Sequence, residues 1–284
     1  MINSTKQHPS LKVAAPNPCV RGLILDGLEL AQKTIGQAAV PLYRTDARKV
    51  LVHLGSGVLL FFEGRRLLVT AAHVIDHEVS SAMYLPSAGK KLVSLEGAGF
   101  KTTSPEGNRL KDKYDFAVLK LDESKLNELG AVSFLDENTW KRESTTEYGH
   151  YYCALGYPTS KNKKINHLKK HVRTTRLAVA SRSVKESSLC KKMAVSGKEH
   201  IFLRYEQLSM DDGGQINNSV LPVGMSGGAL VDPGKLGETK RAPRLAGILI
   251  EYHGSHKAMV ATRIEVIIDT LKRALMDPKN PYGL

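Results

Sequence analysis

A chain of 284 residues that is 42% hydrophobic can bury a sizeable core, which excludes an intrinsically disordered protein. Lys and Arg number 41 against 28 Asp and Glu, so the formal net charge is +13 and a polyanion must be weighed as a partner. No segment approaches the roughly 20 consecutive apolar residues of a membrane helix, so no membrane association is expected.

Residues 1 to about 20 are polar and contain several prolines, and they are expected to form a tail. They lack the apolar run of a signal peptide. The three cysteines, Cys19, Cys153 and Cys190, are odd in number and widely spaced. A secreted fold of this size would carry paired cysteines, so the expected location is cytoplasmic. Leu28, Ala31 and Ile35 fall at helical spacing before Gly36, which predicts a short amphipathic helix over residues 26–35.

From Pro41 onward, short apolar or alternating runs are separated by turn residues. Strands are predicted at 50–54, 57–62, 67–70, 91–93, 116–121, 151–155, 176–180, 201–205, 228–231, 245–251 and 258–262, with a turn at Glu63-Gly64-Arg65. A polar linker near residues 138–147 divides them into two sets. Residues 263–276 read as a closing helix, with Ile267, Ile268, Leu271 and Leu275 on one face and Lys272 and Arg273 near its C-terminal end. Many short strands without alternating helices predict an all-β barrel or sandwich, not a parallel sheet.

Between these strands the stretch 160–199 is long and basic. Lys161, Lys163, Lys164, Lys169, Lys170, Arg173 and Arg176 crowd into it, with His167 and His171 among them. Nucleic acid is possible through residues 161–176, but no aromatic residue is interleaved for base stacking, and a solvated loop is the favoured reading.

Three segments carry chemistry. In Leu68-Val69-Thr70-Ala71-Ala72-His73, a strand ends in small residues and delivers a histidine at a turn. In Tyr114-Asp115-Phe116-Ala117-Val118, an acid heads an apolar strand and is therefore shielded from water. In Gly224-Met225-Ser226-Gly227-Gly228, glycines frame a serine, so that backbone N–H groups can converge beside its hydroxyl. A serine needs an adjacent base to become a nucleophile, and a base needs an orienting group. His73 and His77 at i, i+4 lack the glutamate of a metalloprotease helix, so no metal site is expected, and no cofactor either. Asp76 and Asp112 lack the apolar strand that follows Asp115 and read as surface residues. The Gly-x-Ser-x-Gly pattern also fits an α/β-hydrolase elbow, but that fold requires the order Ser, acid, His along the chain.

The three segments, in this order, resemble the chymotrypsin/trypsin superfamily of serine peptidases, and the likeness extends from about residue 45 to 275. Gly55-Ser56-Gly57, the strand from Gly247 to Tyr252, and Val260-Ala261-Thr262-Arg263-Ile264 before the closing helix are similar to further parts of that family. The resemblance implies two six-stranded antiparallel β-barrels: a tail and helix over 1–40, a first barrel over 41–137 with His73 and Asp115, and a second over 148–284 with Ser226. It implies a serine endopeptidase acting on protein or peptide substrates through a His73, Asp115 and Ser226 triad, with the Gly224 and Ser226 N–H groups as oxyanion hole. Val220, Tyr252 and Met259 are expected to line the substrate pocket; no acid lies at its base, which favours a small or medium apolar residue at the cleaved bond. An Arg-Ile-Val-Gly-Gly-like start is missing, and the chain looks closer to bacterial, HtrA-like members, with no PDZ-sized extension expected. That suggests activation by a protein partner. The alternative is a catalytically silent fold that binds nucleic acid or protein through its basic surface.

Overall fold

The computed structural model describes residues 18–46, 48–76, 82–95, 97–140, 149–166, 170–184, 190, 196–206, 208–210, 215–238 and 242–276. Seven strands build the first sheet: β1 (Ala39–Thr45), β2 (Leu51–Phe62), β3 (Arg65–Ala71), β4 (Met83–Pro86), β5 (Leu92–Leu95), β6 (Gly99–Lys101) and β7 (Phe116–Lys120). They lie in the order β5-β4-β1-β2-β3-β7-β6, and every pairing is antiparallel. The expectation of six is exceeded by one short strand.

After β8 (Tyr151–Gly156) come the small hairpin β9 (Ile165–Asn166) and β10 (His171–Val172), then β11 (Leu177–Arg182) and β12 (His200–Arg204). A second hairpin, β13 (Leu208–Met210) and β14 (Ile216–Asn218), precedes β15 (Ala229–Asp232), β16 (Arg244–His253) and β17 (Ala258–Arg263). The second sheet has the order β11-β8-β15-β16-β17-β12. A bridge between Ser183 and Leu203, with Val184 N donating to Phe202 O at 2.9 Å, brings its two edges together and curls it into a barrel.

The link from β2 to β3 shows how local chemistry sets register. Glu63 and Gly64 both have positive φ, 46° and 76°, the two-residue turn whose twist matches the flanking strands. That turn registers Phe62 against Arg65 and Val58 against Val69, and so aims β3 and the histidine beyond it.

One apolar core runs through both sheets, from Leu42, Leu59 and Val69 to Cys153, Leu155, Val231 and Ile248. The helix Ile264–Met276 closes it with Ile264, Ile267, Ile268 and Leu271. The first helix, Pro18–Thr34, is longer than predicted and begins eight residues earlier. Arg176 is not a solvated loop residue. Its guanidinium donates to Gly36 O and, at 3.4 Å, to Gln32 O at the end of that helix, where carbonyls lack intrahelical partners. Of the basic stretch, His167 and Lys169 lie outside the described residues, as does His77.

Candidate active site

β3 ends at Ala71, and His73 sits in the single helical turn Ala72–Ile75 that follows. Ala71 and Ala72 are fully buried; a larger side chain would have no space there. Asp115 grips this turn three times. Its backbone carbonyl accepts from Ala72 N at 2.9 Å, Oδ1 accepts from His73 N at 2.9 Å, and Oδ2 lies 2.6 Å from His73 Nδ1. The Asp115 side chain is 11% exposed and that of His73 40%, so the ring turns one edge to the carboxylate and another towards solvent. Burial opposes the charged ring, but the Asp115 carboxylate outweighs it, aided by the charges of Glu251 and Asp76, and the His73 pKa lies above its ordinary value.

Asp115 has a φ of +42°, a conformation that costs energy in any residue but glycine. Its neighbours hold it there. Phe116 N donates to Thr102 Oγ1 at 3.1 Å, and Tyr114 O accepts from Thr262 Oγ1 of the second barrel at 2.6 Å. His200 Nε2 lies 2.7 Å from Lys113 O, and Tyr114 OH donates to Glu199 at 2.5 Å. Asp112 corrects the reading of a surface acid: its side chain is 3% exposed, pairs with Arg109 and accepts from Tyr114 N at 3.1 Å. Asp76 is half-buried and also salt-bridged to Arg109, at 2.7 Å. Both are braces for the turn that presents Asp115.

The serine turn is tied to β2. Ser56 N donates to Ser226 O at 2.8 Å, Ser56 Oγ donates to Gly224 O at 2.8 Å, and Tyr157 N donates to Ser56 Oγ at 2.9 Å. Thr70 Oγ1, on the strand leading to His73, donates to Ser56 O at 2.6 Å. The histidine strand and the serine turn therefore share one anchor. A Cβ at Gly55 would lie 2.9 Å from the Val74 side chain and 3.2 Å from Ser226 O, so that glycine is the spacer where the histidine turn and the serine turn converge. His73 Nε2 and Ser226 Oγ make no hydrogen bond with each other among the described residues. Met225 N, Gly227 N and Gly228 N all donate to backbone carbonyls, whereas Gly224 N and Ser226 N donate to none among the described residues.

Gly227 tests this packing. Its φ is +86°, and a Cβ there would fall 1.9 Å from Ser56 O and 2.3 Å from Thr70 Oγ1. Gly227→Ala is expected to destabilise the fold by on the order of 4 kcal/mol, read as a large drop in the unfolding midpoint, since a backbone oxygen cannot step aside.

Val220, Tyr252 and Met259, the three residues expected at the pocket, gather around Tyr205, which sequence reading did not single out. Its hydroxyl donates to Val220 O, and its ring lies edge-on to Tyr252 at 5.5 Å and 71°. Met259 pairs with Tyr252 across the strands and is 2% exposed, so it backs the cluster from the core. Burial pushes the Tyr205 hydroxyl up to about 12, so it stays a donor at neutral pH. His53 and Thr159 were missed as well, and Ser56 and Thr70, though they lie in segments the sequence singled out, were not read as ties between the two turns. None of Cys19, Cys153 and Cys190 forms a disulfide, and Cys153 is a core residue. Among the described residues no cluster could hold a metal ion, and no helix is long and apolar enough to cross a membrane.

Two curled antiparallel sheets with the serine turn, the histidine turn and their ties between them define the trypsin-like peptidase class. The chain belongs to the trypsin-like peptidase domain family, whose model matches residues 55–236. A solved structure of the HtrA-type protease AlgW with a tripeptide superposes with a TM-score of 0.51 and 18% identity, over 88% of this chain and 64% of that one. The chain thus spans less than two thirds of that protein's length, and at this identity the likeness is one of fold. No curated protein matches.

Proposed function

We propose that the chain is a serine endopeptidase in which Ser226 attacks the peptide carbonyl, His73 takes the serine proton and passes it to the leaving amine, and Asp115 holds His73. The single observation that carries this reading is the double grip of one carboxylate on both the backbone N and Nδ1 of His73. With Nδ1 occupied, the neutral ring has its proton on the Asp115 side and presents Nε2 as a base. In substrate-free sites the bond from nucleophile to base is often long and closes as substrate binds. The N–H groups of Gly224 and Ser226 serve the developing oxyanion, their neighbours on the turn being already committed.

An extended peptide has a place to lie. β15 pairs with β16 only as far as Ile248, and Leu249 exchanges hydrogen bonds with the serine turn. Beyond that point Glu251, Tyr252 and His253 pair with β17 alone among the described residues, which supports docking of a substrate strand on the other edge. Val220 and Tyr252 then border the side chain before the cleaved bond, with Met259 behind, and favour an apolar residue.

Mapping new protein termini in an extract, with wild type against Ser226→Ala, tests the reading. Termini that depend on Ser226 are expected; identical maps from folded wild type and folded variant contradict it. A second expectation concerns pH. His73 must be neutral to act, and its pKa is raised above 6.5, so the acid limb of kcat/KM should have its midpoint above pH 6.5. Loss of the Asp115 charge should move that midpoint to lower pH.

A further inference from the structure

The proposed hole needs the Gly224 N–H aimed at the substrate, yet the peptide unit that carries it has two available orientations. Met225 N donates to Pro222 O at 2.9 Å, closing a four-residue turn, and Gly224 at its third position has a φ of +91°. That is a type II turn. The same residues can close a type I turn, in which the central peptide is turned over and the third residue has negative φ. Glycine accepts both, so Val223–Gly224 needs something outside the turn to hold it.

A trans peptide points its C=O and N–H in opposite directions, so whatever grips Val223 O sets the direction of Gly224 N. Thr159 N donates to Val223 O at 2.8 Å. Contact between the two segments is tight: a Cβ at Gly224 would lie 2.5 Å from Thr159 Oγ1 and 2.9 Å from both Thr159 N and His53 Cε1. Thr159 is seated from below by His53, whose Nδ1 lies 3.1 Å from Thr159 Oγ1. His53 is 9% exposed, and its Nε2 has no hydrogen-bond partner among the described residues. Burial lowers the His53 pKa to about 4, so the ring that seats Thr159 is neutral at ordinary pH. Asn162 then fixes the short helix that Thr159 begins, donating to Pro158 O at 2.8 Å and Thr175 O at 2.9 Å.

We infer that Thr159, seated by His53, is a positioning residue that locks the Val223–Gly224 peptide with the Gly224 N–H turned away from Thr159 and open to an oxyanion. The inference rests on the serine-peptidase reading and adds to it a latch: loss of one hydrogen bond lets the peptide turn over while Ser226 and His73 stay in place.

Thr159→Pro removes the one N–H in question. Thr159 is the first residue of its helix, where proline is tolerated, and Pro158 before it has φ −70° and ψ 137°, the conformation a following proline requires. Thr159→Val keeps the N–H and loses the contact with His53, and Thr159→Ser keeps both groups. The probes are a fluorophosphonate, an Ala-Ala-Pro-Val anilide and the matching peptide aldehyde, whose adduct carries the oxyanion. Thr159→Pro is expected to slow phosphonylation and lower kcat by about a hundredfold or more, the effect of losing one hole donor. KM should stay close to wild type, while aldehyde binding weakens by the same factor as kcat. Thr159→Val should lose less, and Thr159→Ser should restore the rate. Wild-type rates in folded Thr159→Pro would overturn the latch and leave the peptidase reading intact, as would KM, kcat and aldehyde binding all worsening together. A wild type that never reacts with the fluorophosphonate would overturn the peptidase reading itself.

Discussion

Ser226→Ala is expected to lower kcat on a peptide anilide by about a million-fold, the scale seen when the nucleophile of a serine protease is removed. The Ser226 hydroxyl makes no hydrogen bond among the described residues, while its backbone carbonyl is the group that accepts from Ser56 N. Alanine keeps that carbonyl and the glycines of the turn, Gly224, Gly227 and Gly228. The unfolding free energy should therefore hold within about 0.5 kcal/mol of wild type, so that lost activity reports lost chemistry. His73→Ala should cost a similar factor, and the double variant little more than either, because a nucleophile without its base and a base without its nucleophile are equally idle. Additive losses would show that the two side chains work separately.

Asp115→Asn should lower kcat by about ten-thousand-fold near neutral pH. Asparagine tolerates the positive φ that Asp115 adopts, so the turn survives the exchange. Its amide oxygen can still accept from His73 N, as Oδ1 does now. The amide nitrogen then faces His73 Nδ1, where Oδ2 stands at 2.6 Å, and can only donate. The neutral ring must accept at Nδ1 and carry its proton on Nε2, the wrong tautomer for a base. A ¹⁵N spectrum of His73 checks this directly: the protonated nitrogen should switch between wild type and variant. An unchanged tautomer with the same loss of rate would point to a different role for Asp115.

The site segments were legible because each needs a rare local combination, small residues before a histidine, an acid heading an apolar strand, glycines around a serine. The strands were legible less evenly. Gly55 and Ser56 read as a break between 50–54 and 57–62, yet β2 runs from Leu51 to Phe62 through both and on through Gly57. These glycines give clearance instead of a turn: a Cβ at Gly57 would meet Leu68 at 2.5 Å, and one at Gly55 would press on Val74. Clearance is a property of the partner strand and cannot be seen in a single segment. β1 was missed because Pro41 interrupts its alternation. The tie between His53 and Thr159 was invisible for a related reason, since each is defined by a partner 106 residues away.

The most direct measurement is the intact mass of folded wild-type protein after exposure to a fluorophosphonate, followed by peptide mapping of the adduct. One phosphonyl group per chain on Ser226, absent from His73→Ala under the same exposure, is the predicted result. A folded wild type that keeps its unmodified mass, or an adduct carried by a different residue, would contradict the assignment of Ser226 as the activated nucleophile.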